Sequence, residues 1–370
     1  MILAIQFFYK MQNEILALNF YRDRYGDLTE TILQENSYSQ LASARLQLIP
    51  ALNAAKSIGM QAKSLSLSTE FPEYLECLGL PRICLVGKMI GDDIKCNVAN
   101  LSAVARMKRM GIPIIVLYSN HHLNRKDERG EFYRDLLFLA DHVVCPTSSL
   151  KQLAQSSSRS GLHFHVIEDP WQIKSLEDYK NLNKNSSIKI IWFGAALNLC
   201  YLHQKLLDIA QSKFDAYDIE FTVFTATNAV NYFRNFLKEN PDVYPKWNYR
   251  FVEWNGYMQP KQFNEELARA HISLIPSNPN DPEKQGASHN RLVDSIRAGC
   301  ICVASPLPSY KELNSLSLLG ENFSSMLHSA IENYNQLSLR YKSLREDILL
   351  PFSPKANEKK WTQLLNNVLN

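Results

Sequence analysis

The sequence carries almost no excess charge and no long apolar run. Its 40 Lys and Arg residues face 37 Asp and Glu residues, so the formal net charge of the 370-residue chain is +3. No basic run interleaves with aromatic residues, which argues against nucleic acid as the main ligand. The apolar start, residues 1–9, is much shorter than the ~20 residues that a membrane-spanning helix needs, and no small-residue cleavage site follows it. We therefore expect neither a membrane span nor a secretion signal.

Cysteine is sparse, and its spacing has no pattern. The seven cysteines are scattered along the chain, odd in number, and none forms a C-x-x-C pair. This distribution argues against a disulfide framework and against a zinc site, and it is typical of reduced thiols. We predict a cytoplasmic protein without a metal centre.

What the sequence does contain is a regular alternation of short apolar runs and amphipathic stretches. With 45% hydrophobic and 21% charged residues, the chain is globular and long enough for two domains. Strands that alternate with helices predict βαβ units and a parallel sheet. In the first half we predict strands over 15–20, 62–67, 83–86, 114–118, 142–145 and 163–167, and helices over 41–58, 99–110, 131–139 and 149–154.

A polar linker at residues 181–187 interrupts this alternation, which then restarts. In the second half we predict strands over 188–193, 220–224, 249–252, 272–275 and 300–304, and helices over 201–210, 229–237, 260–269, 289–298 and 354–369. The pattern predicts two tandem Rossmann-like α/β domains, residues 1–170 and 171–353. Open α/β sheets bind ligands at the carboxyl ends of their strands, so we expect the ligands in a cleft between the domains.

The most informative segment is 270–313, in which an apolar strand leads through a polar loop into a helix. Unpaired N–H groups at a helix N-terminus, together with the helix dipole, favour a phosphate. Lys284 in the loop and Arg291 in the first turn flank this end and could neutralise a diphosphate. Asn290 and Asp294 lie one turn apart on one helix face, where a carboxylate could accept hydrogen bonds from ribose hydroxyls.

A structural interpretation of the same residues stays open. Ser288 has the side chain of an N-cap, and such a residue stabilises a helix without binding any ligand. Arg291 and Asp294 could form an exposed ion pair, which would contribute about 0–1 kcal/mol to stability. Taken as isolated residues, they fit this interpretation better than a binding role.

The segment resembles the donor-site signature of GT-B glycosyltransferases of the family 4-like type. In that signature a strand ends in a Pro turn, an Asn-Arg or Asn-Lys pair opens a helix, and an acidic residue follows one turn later. An Ala-Gly stop, an apolar strand and a Pro-Ser-Tyr-like turn complete it. The matching residues here are Leu274-Ile275-Pro276, Asn290-Arg291, Asp294, Ala298-Gly299, 300–304 and Pro308-Ser309-Tyr310. Segments 140–148, 167–170 and 252–255 and the last helix with Trp361 also resemble the family.

The resemblance implies the GT-B fold, with the C-terminal helix 354–370 returning to the first domain. It implies a metal-independent, hexosyltransferase-like enzyme of glycan biosynthesis that needs no cofactor and uses a nucleotide-diphosphate sugar as co-substrate. The acceptor would be a glycan, a lipid or another hydroxyl compound, and peripheral contact with a membrane is left open. The implied donor-binding residues are Gly194, Asn255, Lys284, Ser288, Asn290, Arg291 and Asp294.

Catalytic and acceptor-side candidates lie in the first domain. His121 and His122 follow the strand 114–118, and an imidazole there could act as a general base or donate to a sugar hydroxyl. Adjacent residues of an extended segment face opposite ways, so at most one of the two should act. Lys88 follows the strand 83–86, where it could bind an acceptor anion or simply be solvated.

The chain also departs from the family. Many relatives carry a basic residue just after the first strand of the second domain, where this chain has Ala195-Ala196, and Ala287 stands where relatives often have Lys. Lys284 could substitute for the missing charge. Two alternatives therefore stay open: a catalytically degenerate GT-B protein that binds a sugar nucleotide or a partner, and a nucleotide-sugar epimerase of the same fold.

Overall fold

The structure is a computed structural model that describes residues 12–19, 42–66, 80–87, 94–183, 186–212, 214, 216–254 and 260–370. The chain divides into two compact units: Met1–Asp169 together with Pro354–Asn370, and Pro170–Ser353. Within these described ranges, no helix combines the length and the apolar character that crossing a bilayer requires.

The first unit contains one sheet of six parallel strands in the order β2-β1-β3-β4-β5-β6. Its strands are β1 (Gln12–Asn19), β2 (Gln61–Ser66), β3 (Pro81–Val86), β4 (Ile114–Leu117), β5 (His142–Cys145) and β6 (His163–Val166). Its helices are α1 (Ile49–Ser57), α2 (Ile94–Arg109), α3 (Glu128–Leu139) and α4 (Ser148–Ser156). Parallel strands joined by helices make this unit Rossmann-like, as predicted.

Helix α1 differs from the single continuous helix that the sequence predicts over 41–58. A π-helical turn, Ala44–Leu48, precedes it, and the N–H of Ile49 donates to the carbonyl of Ala44. Pro50 has no N–H with which to close the α-helical hydrogen bond to Leu46, so the chain enters α1 through the wider turn.

The second unit has its own sheet of six parallel strands, in the order β12-β11-β10-β7-β8-β9. The strands are β7 (Ile188–Phe193), β8 (Ile219–Thr225), β9 (Asn248–Glu253), β10 (Ile272–Ile275), β11 (Ile301–Ala304) and β12 (Ser317–Leu319). The strand order reverses between β7 and β10, and the carboxyl ends of strands at such a switch point are where open α/β sheets bind ligands.

The helices of the second unit are α5 (Leu199–Ala210), α6 (Thr227–Glu239), α7 (Pro260–Arg269), α8 (Pro282–Gln285), α9 (Asn290–Arg297), α10 (Phe323–Glu332) and α11 (Tyr334–Leu349). No element was predicted between residues 304 and 354, so β12, α10 and α11 were not expected from the sequence. Strand β12 has only three residues, and the exposed face of α11 carries Leu339 and Leu344, which obscure the helical period.

The last helix, α12 (Pro354–Leu369), belongs to the first unit, where it packs on α1. Its apolar face buries Trp361, Leu364 and Leu365 in one cluster with Leu52 of α1. The side-chain amide of Asn357 also donates to the carbonyl of Glu168 at 2.7 Å. The predicted return of the C-terminal helix to the first domain is confirmed.

Candidate functional site

The turn after β7 lies at the switch point of the second sheet, and Gly194 opens it. Its N–H donates to the carbonyl of Phe224 at 3.3 Å, and its carbonyl accepts from the hydroxyl of Thr225 at 2.7 Å. A Cβ placed on Gly194 would lie 3.8 Å from Nη1 of Arg291. Strand β8 thus fixes the turn, and the guanidinium of Arg291 reaches it from α9.

Lys284, on the short helix α8, brings a second cation to the same turn. Its Nζ donates to Oδ1 of Asn198 at 3.2 Å, and Asn198 belongs to the 3₁₀ turn that follows Gly194. The ammonium also lies 5.7 Å from the centre of the Tyr201 ring. The hydroxyl of Tyr201 donates to Oδ2 of Asp281 at 2.8 Å. Asp281 is the N-cap residue of α8, so this bond attaches the start of α8 to helix α5.

The two cations lie close to each other. Burial and, after it, the charge of Arg291 lower the pKa of the Lys284 ammonium. Within the ranges that the structure describes, neither side chain makes an ion pair with a carboxylate. Nη1 of Arg291 is buried and makes no hydrogen bond to any described part of the chain. The nearby carboxylates of Asp281 and Glu283 act in the opposite direction and raise the pKa of Lys284 in part. Two neighbouring cations that form no ion pair with a described carboxylate suit a ligand with at least two negative charges.

The first turn of α9 is capped by the chain itself. Oγ of Ser288 accepts from the N–H of Asn290 at 3.3 Å, and Oδ1 of Asn290 accepts from the N–H of Arg291 at 2.8 Å. These bonds satisfy two N–H groups at the helix start. Ser288 and Asn290 therefore have capping roles in this structure, and the positive side chains provide the attraction for an anion.

Asp294, which was predicted as an acceptor for ribose hydroxyls, is buried in this structure. The residue is only 1% exposed. Oδ1 accepts from the backbone N–H groups of Gln172 at 2.8 Å and of Ile173 at 3.3 Å. Oδ2 accepts from the side-chain amide of Gln172 at 2.9 Å. Both carboxylate oxygens are therefore bound to the segment that precedes β7.

The two candidate histidines of the first unit are buried as well. His121 and His122 are 2% and 3% exposed. The hydroxyl of Tyr118 lies 3.4 Å from Nδ1 of His121 and accepts from the backbone N–H of His122 at 2.8 Å. The ring of His122 stacks on Tyr133, with ring centres 4.7 Å apart. These contacts give both histidines packing partners within the first unit.

Two predicted site residues, Lys88 and Asn255, lie outside the described residues. Trp254, which precedes Asn255, stacks on Phe224 with ring centres 5.1 Å apart, so an aromatic pair stands at the end of β9. Among the residues that the structure describes, no three His, Cys, Asp or Glu side chains are grouped so that they could hold a metal ion.

The residues that hold Lys284 in place were not among the predicted site residues. Asn198 and Tyr201 contact Lys284 across 86 and 83 positions of the chain, and no local pattern marks either of them. Asn198 does stand in the turn after β7, four positions beyond Gly194, where a polar side chain suits a binding role. That position was the one signal in the sequence.

No protein-family model matches the chain, and no curated protein matches it. Solved structures do match it. The structure of HepE from Anabaena in complex with UDP covers 96% of this chain and 100% of its own, with a TM-score of 0.63 and 11% identity. Sucrose-phosphate synthase from Thermosynechococcus elongatus covers 96% and 98%, with a TM-score of 0.66 and 10% identity.

The lipopolysaccharide outer core galactosyltransferase WaaB in its apo form covers 96% of this chain and 99% of its own, with a TM-score of 0.56 and 11% identity. At identities near this level, the structural matches show the fold alone. The chain has the GT-B fold of these glycosyltransferases over nearly its whole length, and the predicted resemblance is confirmed.

Proposed function

We propose that the chain is a glycosyltransferase that moves a sugar from a nucleotide-diphosphate donor to a hydroxyl acceptor. The observation that carries the proposal is the pair of cations, Lys284 and Arg291, at the switch point of the second sheet. In such a transfer the leaving group is a nucleoside diphosphate, whose charge two cations can neutralise. The HepE structures contain UDP and UDP-glucose, so a UDP-hexose is the first donor to test.

Catalysis would rest on charge stabilisation. Negative charge builds up on the departing diphosphate as the glycosidic bond breaks, and cations that are already in place stabilise that charge without reorganising. Asn198 and Tyr201 hold Lys284 in position before the donor arrives. Lys284 would then supply the charge that Ala195-Ala196 does not, and the reaction would proceed without a metal ion.

The acceptor side stays a prediction. We keep four predictions that concern more than the second unit. They are a glycan or lipid-linked acceptor, its binding by the first unit, peripheral membrane contact and a cytoplasmic location. His121 and His122 remain candidates for a general base only if their rings can leave the packing seen here.

A ligand panel tests the proposal. Melting temperatures are measured with UDP-, GDP-, ADP-, CMP- and dTDP-sugars, with the free nucleosides and monophosphates as matched controls. Ligand at a hundredfold excess over its dissociation constant stabilises the protein by about 2.7 kcal/mol. We expect one base to give the largest shift, and the diphosphate forms to exceed the monophosphates clearly, because two cations favour two phosphates.

Release of the nucleoside diphosphate is then measured with the preferred donor and a set of glycan, lipid and simple hydroxyl acceptors. Acceptor-dependent release supports the transferase. Donor binding without release under any acceptor would instead support the degenerate GT-B protein, which binds a sugar nucleotide without turnover. The absence of any shift across the panel would contradict the donor site itself.

A further inference from the structure

Helix α9 is attached at its middle to the segment that leads into the second unit. We call residues 171–180 the connecting segment. Asp294 on α9 accepts three hydrogen bonds from it: two from the backbone N–H groups of Gln172 and Ile173 and one from the side chain of Gln172. Asp294 is 1% exposed, so these three hydrogen bonds are shielded from water and attach α9 firmly to that segment.

Arg297, one turn further along α9, binds the same stretch. Its Nε donates to the carbonyl of Ile173 and its Nη2 to the carbonyl of Lys174, both at 2.8 Å. Its guanidinium carbon lies 3.6 Å from the centre of the Trp171 ring. One carboxylate and one guanidinium of the same helix thus hold four consecutive residues, through both their N–H and their carbonyl groups.

The rest of the connecting segment follows the C-terminal end of α9. The N–H of Glu177 donates to the carbonyl of Arg297 at 2.8 Å, and Nζ of Lys180 donates to the carbonyl of Ala298 at 3.1 Å. From α11, Nη1 of Arg345 donates to the carbonyl of Glu177 at 2.6 Å. These bonds immobilise the C-terminal half of α9.

The N-terminal half of α9 carries the candidate anion site. The helix has only eight residues, and Arg291 precedes Asp294 by three positions, so the two side chains are less than one turn apart. Any rotation or shift of α9 about its attachment moves the guanidinium of Arg291 relative to Lys284. The position of Arg291, one of the two side chains that would bind the diphosphate, therefore depends on how firmly the connecting segment holds the helix.

We propose that Asp294 is a positioning residue: by holding the connecting segment it fixes α9, and with it Arg291, for the diphosphate. This proposal rests on the proposed function. It differs from the expectation that the acidic residue at this place binds the ribose. To reach a ribose, the carboxylate would have to give up bonds to two backbone N–H groups, and the buried one, of Ile173, would then be unsatisfied.

Asp294→Asn tests the proposal, because the change keeps the shape of the side chain and removes its charge. Calorimetric titrations compare UDP, pyrophosphate and uridine on the wild type and the variant. We expect the affinities for UDP and pyrophosphate to fall by the same factor, about tenfold, which corresponds to about 1.4 kcal/mol of binding free energy, while any affinity for uridine is unchanged. Weaker UDP and uridine binding with unchanged pyrophosphate binding would show a ribose contact and overturn the proposal, and so would unchanged affinity for all three ligands.

Arg297→Gln is the second variant, because Arg297 is fully engaged with the connecting segment. It should lower the affinity for pyrophosphate as Asp294→Asn does, and an unchanged affinity would count against the proposal. Asp208→Asn, at an exposed position of α5, is the matched control and should leave all three affinities as they are. If Asp294→Asn does not fold, Gln172→Ala removes the side-chain bond to Oδ2, keeps the backbone bonds to Oδ1 and should give a smaller loss of the same kind. A wild type that binds neither UDP nor pyrophosphate would contradict the proposed function, whereas a wild type that binds both with unaltered variants would contradict only the role of Asp294.

Discussion

The ammonium of Lys284 lies close enough to the guanidinium of Arg291 for the charge of Arg291 to lower the pKa of Lys284, an effect second only to burial. Two like charges that are partly shielded from water repel each other. The hydrogen bond to Asn198 holds Lys284 at the turn after β7 in spite of this repulsion, and the guanidinium of Arg291 reaches the same turn at Gly194. A dianion placed between them would turn the repulsion into attraction.

The substitution Lys284→Gln tests whether Lys284 and Arg291 repel each other in the free protein and attract an anion together. The glutamine can still bind Asn198, while the repulsion with Arg291 disappears, so we expect a melting temperature without ligand equal to or above that of the wild type. The affinity for UDP should fall about tenfold, because a charge-assisted hydrogen bond contributes about 1.5–3 kcal/mol. Thermal melts with and without UDP measure both effects. A clear loss of stability without ligand would mean that Lys284 supports the fold more than it binds an anion.

Gly299→Ala is expected to destabilise the second unit strongly. Gly299 ends α9 with a φ of +74°, and a Cβ there would lie 2.5 Å from the carbonyl oxygen of Asp178 in the connecting segment. Gly111→Ala is the matched control, since Gly111 has a φ of +78° and no heavy atom within 4 Å of the added Cβ. The control should cost about 1–2 kcal/mol, the strain of the left-handed conformation alone.

The two glycine variants are compared by chemical denaturation. Gly299→Ala should cost clearly more than Gly111→Ala, because the connecting segment must move away from α9. Gly299→Ala should also lower the affinity for UDP, whereas Gly111→Ala should leave it unchanged. Equal costs would show that the approach of Asp178 to Gly299 is not tight in solution.

His271 makes the stability of the second unit depend on pH. Nδ1 of His271 accepts from the N–H of Lys189 at 2.9 Å, so the ring must be neutral at that atom. Burial, followed by the charges of Lys180 and Lys189, lowers the pKa of His271 to about 4. The unfolded chain, with a pKa of about 6.5, binds a proton between pH 6.5 and 4 that the folded chain does not.

The free energy of unfolding should therefore fall as the pH falls from about 6.5 to about 4, with no further contribution from His271 below that range. His271→Asn keeps an acceptor for Lys189 but cannot titrate, so its melting temperature should depend less on pH across this window. Melts at half-unit pH steps measure the difference. Identical slopes for both proteins would remove His271 as the cause.

His122→Ala separates packing from catalysis in the first unit. The ring of His122 stacks on Tyr133 and is 3% exposed, so its removal should destabilise the protein by about 1–3 kcal/mol. The affinity of the second unit for UDP should not change. If the variant instead keeps the wild-type melting temperature and loses turnover, the imidazole acts on the substrate and the packing role is wrong.

The sequence predicted the architecture well because the fold depends on periodic apolar runs. Strand β10 and strand β7 were placed at Ile272–Ile275 and Ile188–Phe193, since short β-branched runs bounded by turns have few other interpretations. Helix α9 was predicted to within one residue at each end, because the Ser288 start and the Gly299 stop are strong local signals. Element β12, with three residues, offers no such signal.

The sequence could not predict which partners the polar side chains choose. Asp294 and Gln172 are 122 positions apart, and a carboxylate on a helix face has the same local pattern whether it binds a ribose or a backbone. The same holds for Asn198 and Lys284, which meet only because β7 and β10 are neighbours in the sheet. The two cationic side chains could be predicted from the sequence. The residues that hold Lys284 in place could not, because they contact it only in the tertiary structure.

Titration of UDP into the wild type and into Arg291→Gln tests the central claim most directly. Arg340→Gln, at an exposed position of α11, is the matched control for loss of an arginine charge. We predict that the wild type and Arg340→Gln bind UDP alike, and that Arg291→Gln binds it at least about tenfold more weakly, as the loss of a charge-assisted bond requires. Equal binding by all three proteins, or no binding of UDP or any other nucleoside diphosphate by the wild type, would contradict the account.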